Sequence, residues 1–332
     1  MEAEQILMEW KKGVFSPIYW LEGEEKYYID KITEYAENHI LSAEDASFNL
    51  SILYGKDSKI EEVINTSKRY PMFAERQVVI LKEAQQIRDI EKLEHYVDHP
   101  LVSTVLIVAY KDKNVDKRKS FGKLLHKKVK VLTTKKLYDN ELPMWTSNLI
   151  RDKGLEIKPK ALQLIVDHIG NDLQRIENEI DKLNINLNGK KLITEDDIEN
   201  YIGISKEFNI FELQAALVNK DLLKCLTIVN YFASNPKAVP IQLIMPTLYS
   251  FFSKLYVVAH GKVRDEYAVA SALGTNTFFA KQYVTALQRY NAADVENVLL
   301  LLHHYNLKSL GINKSDIEDA ELMRELIVKI II

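Results

Sequence analysis

The chain has 332 residues, 47% hydrophobic and 27% charged, a length and composition that predict two or three soluble globular domains. Its formal charge is −3, from 44 Lys+Arg against 47 Asp+Glu, which excludes a whole-chain polycation that grips nucleic acid by charge alone. One cysteine, Cys225, excludes an internal disulfide, an all-cysteine zinc site and an iron–sulfur cluster, and fits a reduced cytoplasm. The opening MEAEQILMEWKK lacks a basic start followed by an apolar run, so no signal peptide is expected. Apolar runs such as Val298–Leu302 and Ile330–Ile332 are too short to span a bilayer, so no membrane partner is expected.

Residues 1–135 alternate strand-like and helix-like segments. Ile18–Leu21 reads as a strand, followed by Gly23-Glu24-Glu25 and a helical pattern through Tyr28, Ile29, Ile32 and Tyr35. Phe48–Tyr54 reads as a second strand, because Phe48, Leu50 and Ile52 alternate with polar residues. Val63 and Ile64 sit on a helix that ends near Pro71. Val78–Leu81 and Val105–Tyr110 are continuous apolar runs, the signature of strands buried on both faces. Between them Leu93, Tyr96 and Val97 mark a helix; after them Phe121, Leu124 and Leu125 mark a basic one, and Val129–Leu132 is a last strand. Strands separated by helices of this length predict a parallel sheet.

From Glu141 the periodicity is helical throughout. Helices are expected around Met144–Ile150, Ala161–Ile169 and Leu173–Leu183, with turn chemistry at Asn186–Gly189. Thr194 followed by Glu195-Asp196-Asp197 reads as an N-cap with first-turn acids. Longer helices are expected at Phe211–Val218, Leu222–Phe232, Pro240–Ala259, Asn276–Gln288, Val295–Leu307 and Ile317–Ile331. Ser315 and Glu318 would form a capping box for the last.

Several chemistries are missing from the sequence. No stretch matches Gly-x4-Gly-Lys-Ser/Thr; after the first strand the chain reads Glu22-Gly23-Glu24-Glu25, three carboxylates that would repel a triphosphate. The third strand ends in Lys82-Glu83, where an ATPase needs an acidic pair for Mg²⁺ and water, and an ammonium cannot ligate Mg²⁺. There is no Gly-x-Ser-x-Gly, His-Glu-x-x-His or GxGxxG. His303 and His304 are adjacent, so on a helix they point about 100° apart and share no ligand face. Cys225 lies in the apolar stretch LLKCLTIV and reads as inert core. No catalytic residue, cofactor or metal is assigned.

The order of several segments resembles the bacterial DNA polymerase III delta-subunit family. PIYWLEGEEKYYIDKI is similar to that family's first strand, loop and helix, and YPMFAERQVVILKEAQQI to its clamp-contacting helix end and third strand. GNDLQRIENEIDKL with KLITEDDIENYI resembles its helical lid, and FNIFELQAAL with KQYVTALQRY its collar. The resemblance implies an α/β AAA+-like parallel-sheet domain over 1–140 without a working ATP site, an all-α lid over 141–208 and an all-α collar for oligomerisation over 209–332. It implies a clamp-loader subunit that binds and helps open the sliding clamp on primed DNA. Its partners would be the clamp, the loader ATPase subunits (gamma/tau) and delta-prime. The isolated chain would hydrolyse no ATP, and polymerase activity would belong to the holoenzyme. The alternatives are a divergent AAA+ ATPase, a delta-prime-like subunit and a helical scaffold that meets no clamp. The delta-prime family normally carries a cysteine zinc cluster and a Ser-Arg-Cys finger, which a chain with Cys225 alone cannot have.

The resemblance puts the clamp-inserting apolar pair at Met72 and Phe73, framed by Pro71 and Ala74, with Glu75 and Arg76 at the rim. The family often has Leu-Phe there; Met is flexible and fills the same pocket. Burying both side chains yields roughly 3–6 kcal/mol gross, less association costs. Residues 111–136 carry eleven Lys/Arg and two Asp, a local +9. Within them Lys117, Arg118, Lys119, Lys123, Lys127 and Lys128 are expected to share a helix, which reads as a solvated face, a DNA-facing surface or one that meets an acidic sibling. Arg175 stands where an ATPase lid often carries a phosphate sensor and reads as a surface ion-pair residue.

Overall fold

The computed structural model describes residues 2–138, 140–205, 207–235, 239–261, 265–275, 277–312 and 317–332. The chain divides into two compact units, Met1–Leu137 and Tyr138–Ile332.

The first unit runs α1 (Glu2–Lys11), β1 (Ile18–Gly23), α2 (Lys26–His39), α3 (Ala43–Asn49), β2 (Leu50–Tyr54), α4 (Ile60–Ser67) and β3 (Gln77–Lys82). Then follow α5 (Glu94–Asp98), β4 (Thr104–Lys111), α6 (Ser120–Lys128) and β5 (Lys130–Thr134). The five strands form one parallel sheet in the order β2-β3-β4-β1-β5. β1 and β3 are buried almost end to end, as their unbroken apolar runs require. Side chains alternate across the sheet. Trp20, Val79, Leu81, Leu106 and Val108 meet Val63 of α4, Tyr96 of α5 and Phe121 of α6. α2 packs on β1, β3, β4 and β5 through its buried stripe Tyr28, Ile29, Ile32 and Ala36.

Three sequence expectations change here. Phe48 is not in a strand: it lies in α3, which Ser42 caps by accepting the Asp45 N–H at 3.1 Å. α4 stops at Ser67, four residues before Pro71. The six basic residues do not share a helix, because Lys117 and Arg118 precede α6 and Lys119 is its N-cap. Asp116 Oδ1 accepts the Arg118 N–H at 2.9 Å, a local turn that competes with a helical start.

The second unit begins α7 (Leu142–Asp152), β6 (Glu156–Ile157), α8 (Pro159–Ile169), α9 (Leu173–Asn186), β7 (Leu192–Ile193) and α10 (Glu195–Ile202). β6 and β7 pair in parallel, a small ladder that the helical periodicity did not announce. Asn188 and Gly189 both take positive φ in the turn before β7. Thr194 caps α10 in a box with Asp197. Ile150, Leu164, Ile165, Ile176, Ile180, Leu183 and Ile198 close one apolar cluster.

α11 (Ile210–Val218), α12 (Leu222–Ser234), α13 (Ile241–His260), α14 (Glu266–Leu273), α15 (Thr277–Leu287), α16 (Ala292–Ser309) and α17 (Asp319–Ile331) surround a second cluster centred on Leu217, Leu248, Phe252, Leu255, Val295 and Tyr305. α13, with a mean hydropathy of 1.2 over its most apolar window, is long and apolar enough by composition to cross a bilayer. Its buried stripe, Ile244, Leu248, Phe251, Phe252 and Leu255, is the centre of this cluster. Ser315 and Asn276 lie outside the described residues. Glu318, expected inside a capping box, is itself the N-cap of α17. α1 and α14 had no sequence reading.

Candidate functional site

The segment between α4 and β3 is tied down at its base. Ser67 O accepts from Tyr96 Oη at 3.1 Å and from Thr104 Oγ1 at 2.9 Å, while Gln77 Nε2 donates to Thr104 Oγ1 at 2.8 Å. These groups are buried, so each bond also relieves a desolvated polar atom. Arg76 lays its guanidinium over the Phe15 ring, 4.3 Å from the centroid, and pairs with Glu75 at 3.2 Å.

Above that base stand the sequence-expected residues. Pro71 and Ala74 are half-buried; Met72 is 54% exposed and Phe73 98% exposed. Phe73 has φ +56°, a left-handed backbone unusual for a residue with a large side chain. The Met72 backbone is held by a residue that sequence reasoning did not single out, Asn49. Asn49 Oδ1 accepts the Met72 N–H at 2.6 Å, and its Nδ2 donates to the carbonyls of Met72 and Asp45, each at 3.0 Å. The register explains the reach: β2 pairs with β3 from Leu50↔Val78, so Asn49 sits beside the entry to β3. Phe48, 71% exposed, and Tyr70, 77% exposed, are further apolar groups on these two segments. The capping spacing Ser42-x-x-Asp45 was the available signal that Phe48 and Asn49 end a helix rather than open a strand.

The C-terminal edge of the sheet, where parallel α/β folds hold ligands, carries different chemistry. Glu25 occupies the N-terminus of α2, accepting the Tyr27 N–H at 3.1 Å where a phosphate would sit. Glu22 turns inward, fully buried, and accepts from Trp20 Nε1 and the Val115 N–H, both at 2.9 Å. Of the three loop carboxylates only Glu24 stays exposed. Gly23 serves packing: a Cβ there would lie 2.0 Å from Thr134 O on β5. Lys82 pairs with Glu37 at 2.7 Å. Lys111 pairs with Asp30 at 2.6 Å and Glu83 at 3.1 Å. Burial alone would lower the Lys111 pKa; these two carboxylates outweigh it and hold it above the usual lysine range.

Among the basic residues, Arg118 is engaged by Asp116, Lys119 by Glu91 at 3.3 Å and Lys128 by Asp98 at 2.7 Å. Lys117, Lys123 and Lys127 are exposed and make no ion pair with the described residues. Arg175 is exposed on the first turn of α9. Cys225 is buried, and burial pushes its thiol up to about 12. Among the described residues no group of three His, Cys, Asp or Glu is arranged to hold a metal.

The family model described as DNA polymerase III, delta subunit, matches residues 19–135, the stretch that contains the sheet and the exposed tip. Over residues 19–135 the chain is thus similar to the DNA polymerase III delta-subunit family. The DNA polymerase III subunit delta of Bacillus subtilis is 28% identical over 228 residues, 66% of each chain. This chain thus spans just under two thirds of that relative. A probable DNA polymerase III subunit delta from Aquifex aeolicus is 23% identical over 326 residues, 90% of this chain and 89% of that one. The solved DNA clamp loader delta protein of Bacillus subtilis aligns over 99% of both chains with a TM-score of 0.56 and 23% identity. That last likeness establishes a shared fold: a parallel α/β unit followed by helical segments.

Proposed function

We propose that this chain is the delta subunit of a DNA polymerase III clamp loader, docking on the sliding clamp through Met72 and Phe73 and favouring the opened ring. The observation that carries this reading is the tip itself: a large apolar side chain held in solvent by a fixed backbone, at the position where the family resemblance locates the contact. Selection of the opened ring requires a higher affinity for that shape, since equal affinity for both shapes shifts nothing. Residues 141–208 act as lid and 209–332 as collar, through which the chain joins the loader ATPases and delta-prime in the cytoplasm. Hydrolysis is the ATPases' task; the carboxylate capping α2 and the Lys82–Glu37 pair disfavour a triphosphate here. Lys117, Lys123 and Lys127 face primed DNA in the assembled loader.

The test mixes the purified chain with the sliding clamp of its own organism and sizes the complex. A stable complex that also recruits the loader ATPase is expected. A chain that elutes alone at micromolar concentrations overturns the reading.

A further inference from the structure

We infer that Asn49 is the positioning residue of the docking tip, acting through Met72 to hold Phe73 in its binding conformation. This rests on the clamp-docking reading above. The Asn49 side chain is buried, and its three hydrogen bonds use both the amide oxygen and the amide nitrogen. Its orientation is fixed by chemistry, because reversing the amide would set its NH₂ against the Met72 N–H and its oxygen against two carbonyls. Two of the bonds close on the N–H and C=O of one residue, in the manner of a strand partner, although Met72 lies in no strand. The next residue, Phe73, has φ +56° and no buried side-chain surface to hold it there. A left-handed non-glycine residue persists only where its surroundings over-determine it. The Asn49 clasp on one side and the Arg76–Phe15 stack on the other supply that constraint. Released from Asn49, the 70–75 loop samples other conformations, and affinity falls by the fraction that remains competent.

The experiment combines amide hydrogen exchange with clamp-binding measurements on the full chain. In the wild type the Met72 amide exchanges slowly despite its exposed side chain. In Asn49→Ala it exchanges fast while the Val79 amide in β3 stays protected, and clamp affinity falls about tenfold, the scale of one to two net hydrogen bonds. In a Phe73→Ala background the same Asn49→Ala change costs less than about threefold, because a residue acting through the tip loses its effect once the tip is gone. Fast exchange at Met72 in the wild type, or an Asn49→Ala chain that loosens Met72 yet binds the clamp normally, overturns the inference. The wild-type exchange measurement decides the case even if Asn49→Ala fails to fold. Met72→Ser with Phe73→Ser separates the two levels: unchanged clamp binding in that variant removes the docking site itself, whereas loss of binding there with none in Asn49→Ala removes only the positioning role.

Discussion

Replacing Met72 and Phe73 by serine should uncouple docking from folding, and the exposures set the size of both effects. Phe73 is 98% exposed, so its removal takes nothing from the core. Met72 is 54% exposed, so about half a methionine side chain is lost from packing, roughly 1 kcal/mol. Spread over the first unit, that shifts its melting temperature by less than about 5 °C. Docking is affected far more. Burying Phe73 from full exposure and the remaining half of Met72 yields about 3–4 kcal/mol gross, and each serine leaves a hydroxyl to desolvate. The expected loss is therefore about a hundredfold or more in Kd at 1.4 kcal/mol per tenfold. Titration calorimetry against the cognate clamp, beside a thermal melt of the same preparation, measures both. A Kd within fivefold of wild type refutes the site. A melting temperature lowered by more than about 10 °C refutes the premise that these side chains are free in the unbound protein.

Three further outcomes follow from the electrostatics. Glu212 accepts from Lys160 and Lys224, each at 2.7 Å; burial works to raise its pKa, but the two lysines lower it below the usual range. Its stabilisation is thus full above the unfolded-state pKa near 4.5 and is lost as pH falls through the lower folded value. Glu212→Gln should cost about 1–2 kcal/mol near pH 7, a difference that shrinks in acid; denaturant unfolding at both pH values checks it, and an equal difference in acid counts against the linkage. Cys225, with its thiol pushed up to about 12, should resist a maleimide in the native chain and react only in step with unfolding in urea; rapid native labelling contradicts its burial. Charge reversal at Lys117, Lys123 and Lys127 should weaken loader binding to primed DNA and flatten its salt dependence. Reversal of Lys128, already paired with Asp98, should do so far less, and equal effects argue against the DNA-facing assignment.

The core of the sheet was legible because β1, β3 and β4 are buried on both sides and spell continuous apolar runs. The β2 region was half legible. Phe48-Asn49-Leu50-Ser51-Ile52 alternates as a strand does, yet the Ser42 cap carries α3 through Phe48 and leaves that ring in solvent. Periodicity cannot separate an exposed last helical turn from the first residues of a strand. The β6–β7 ladder was invisible because two-residue strands have no period to detect. At the tip, the exposed pair Met72–Phe73 came from the family resemblance, while its support did not. Asn49 lies 23 residues before Met72, and only the β2–β3 register brings them together. The basic stretch failed as a single helix because Asp116 spends its carboxylate on the Arg118 N–H, a bond no charge count reveals.

The two ends of the sheet divide the chemistry of the first unit. In a parallel sheet every strand runs the same way, so the residues that open β2 and β3 share one edge and those that close β1, β3 and β4 share the other. Asn49, Met72 and Phe73 stand at the opening edge; Glu25, Lys82 and Lys111 stand at the closing edge. A six-residue strand such as β3 separates them by about 20 Å. Nucleotide-binding proteins built on parallel α/β sheets spend the closing edge on phosphate and metal. Here three cations there, Lys26, Lys82 and Lys111, already have carboxylate partners, with Asp112, Glu37, Asp30 and Glu83. Re-creating a triphosphate site would require freeing the helix N-terminus from Glu25, unpairing Lys82 and replacing it with an acid, and no single substitution does all three. Self-paired charges at the closing edge hold the strand ends without a ligand. The opening edge owes its strand register to the β2–β3 ladder, and register is what aligns Asn49 with Met72. On this argument, the docking proposed for the tip needs no nucleotide on this chain.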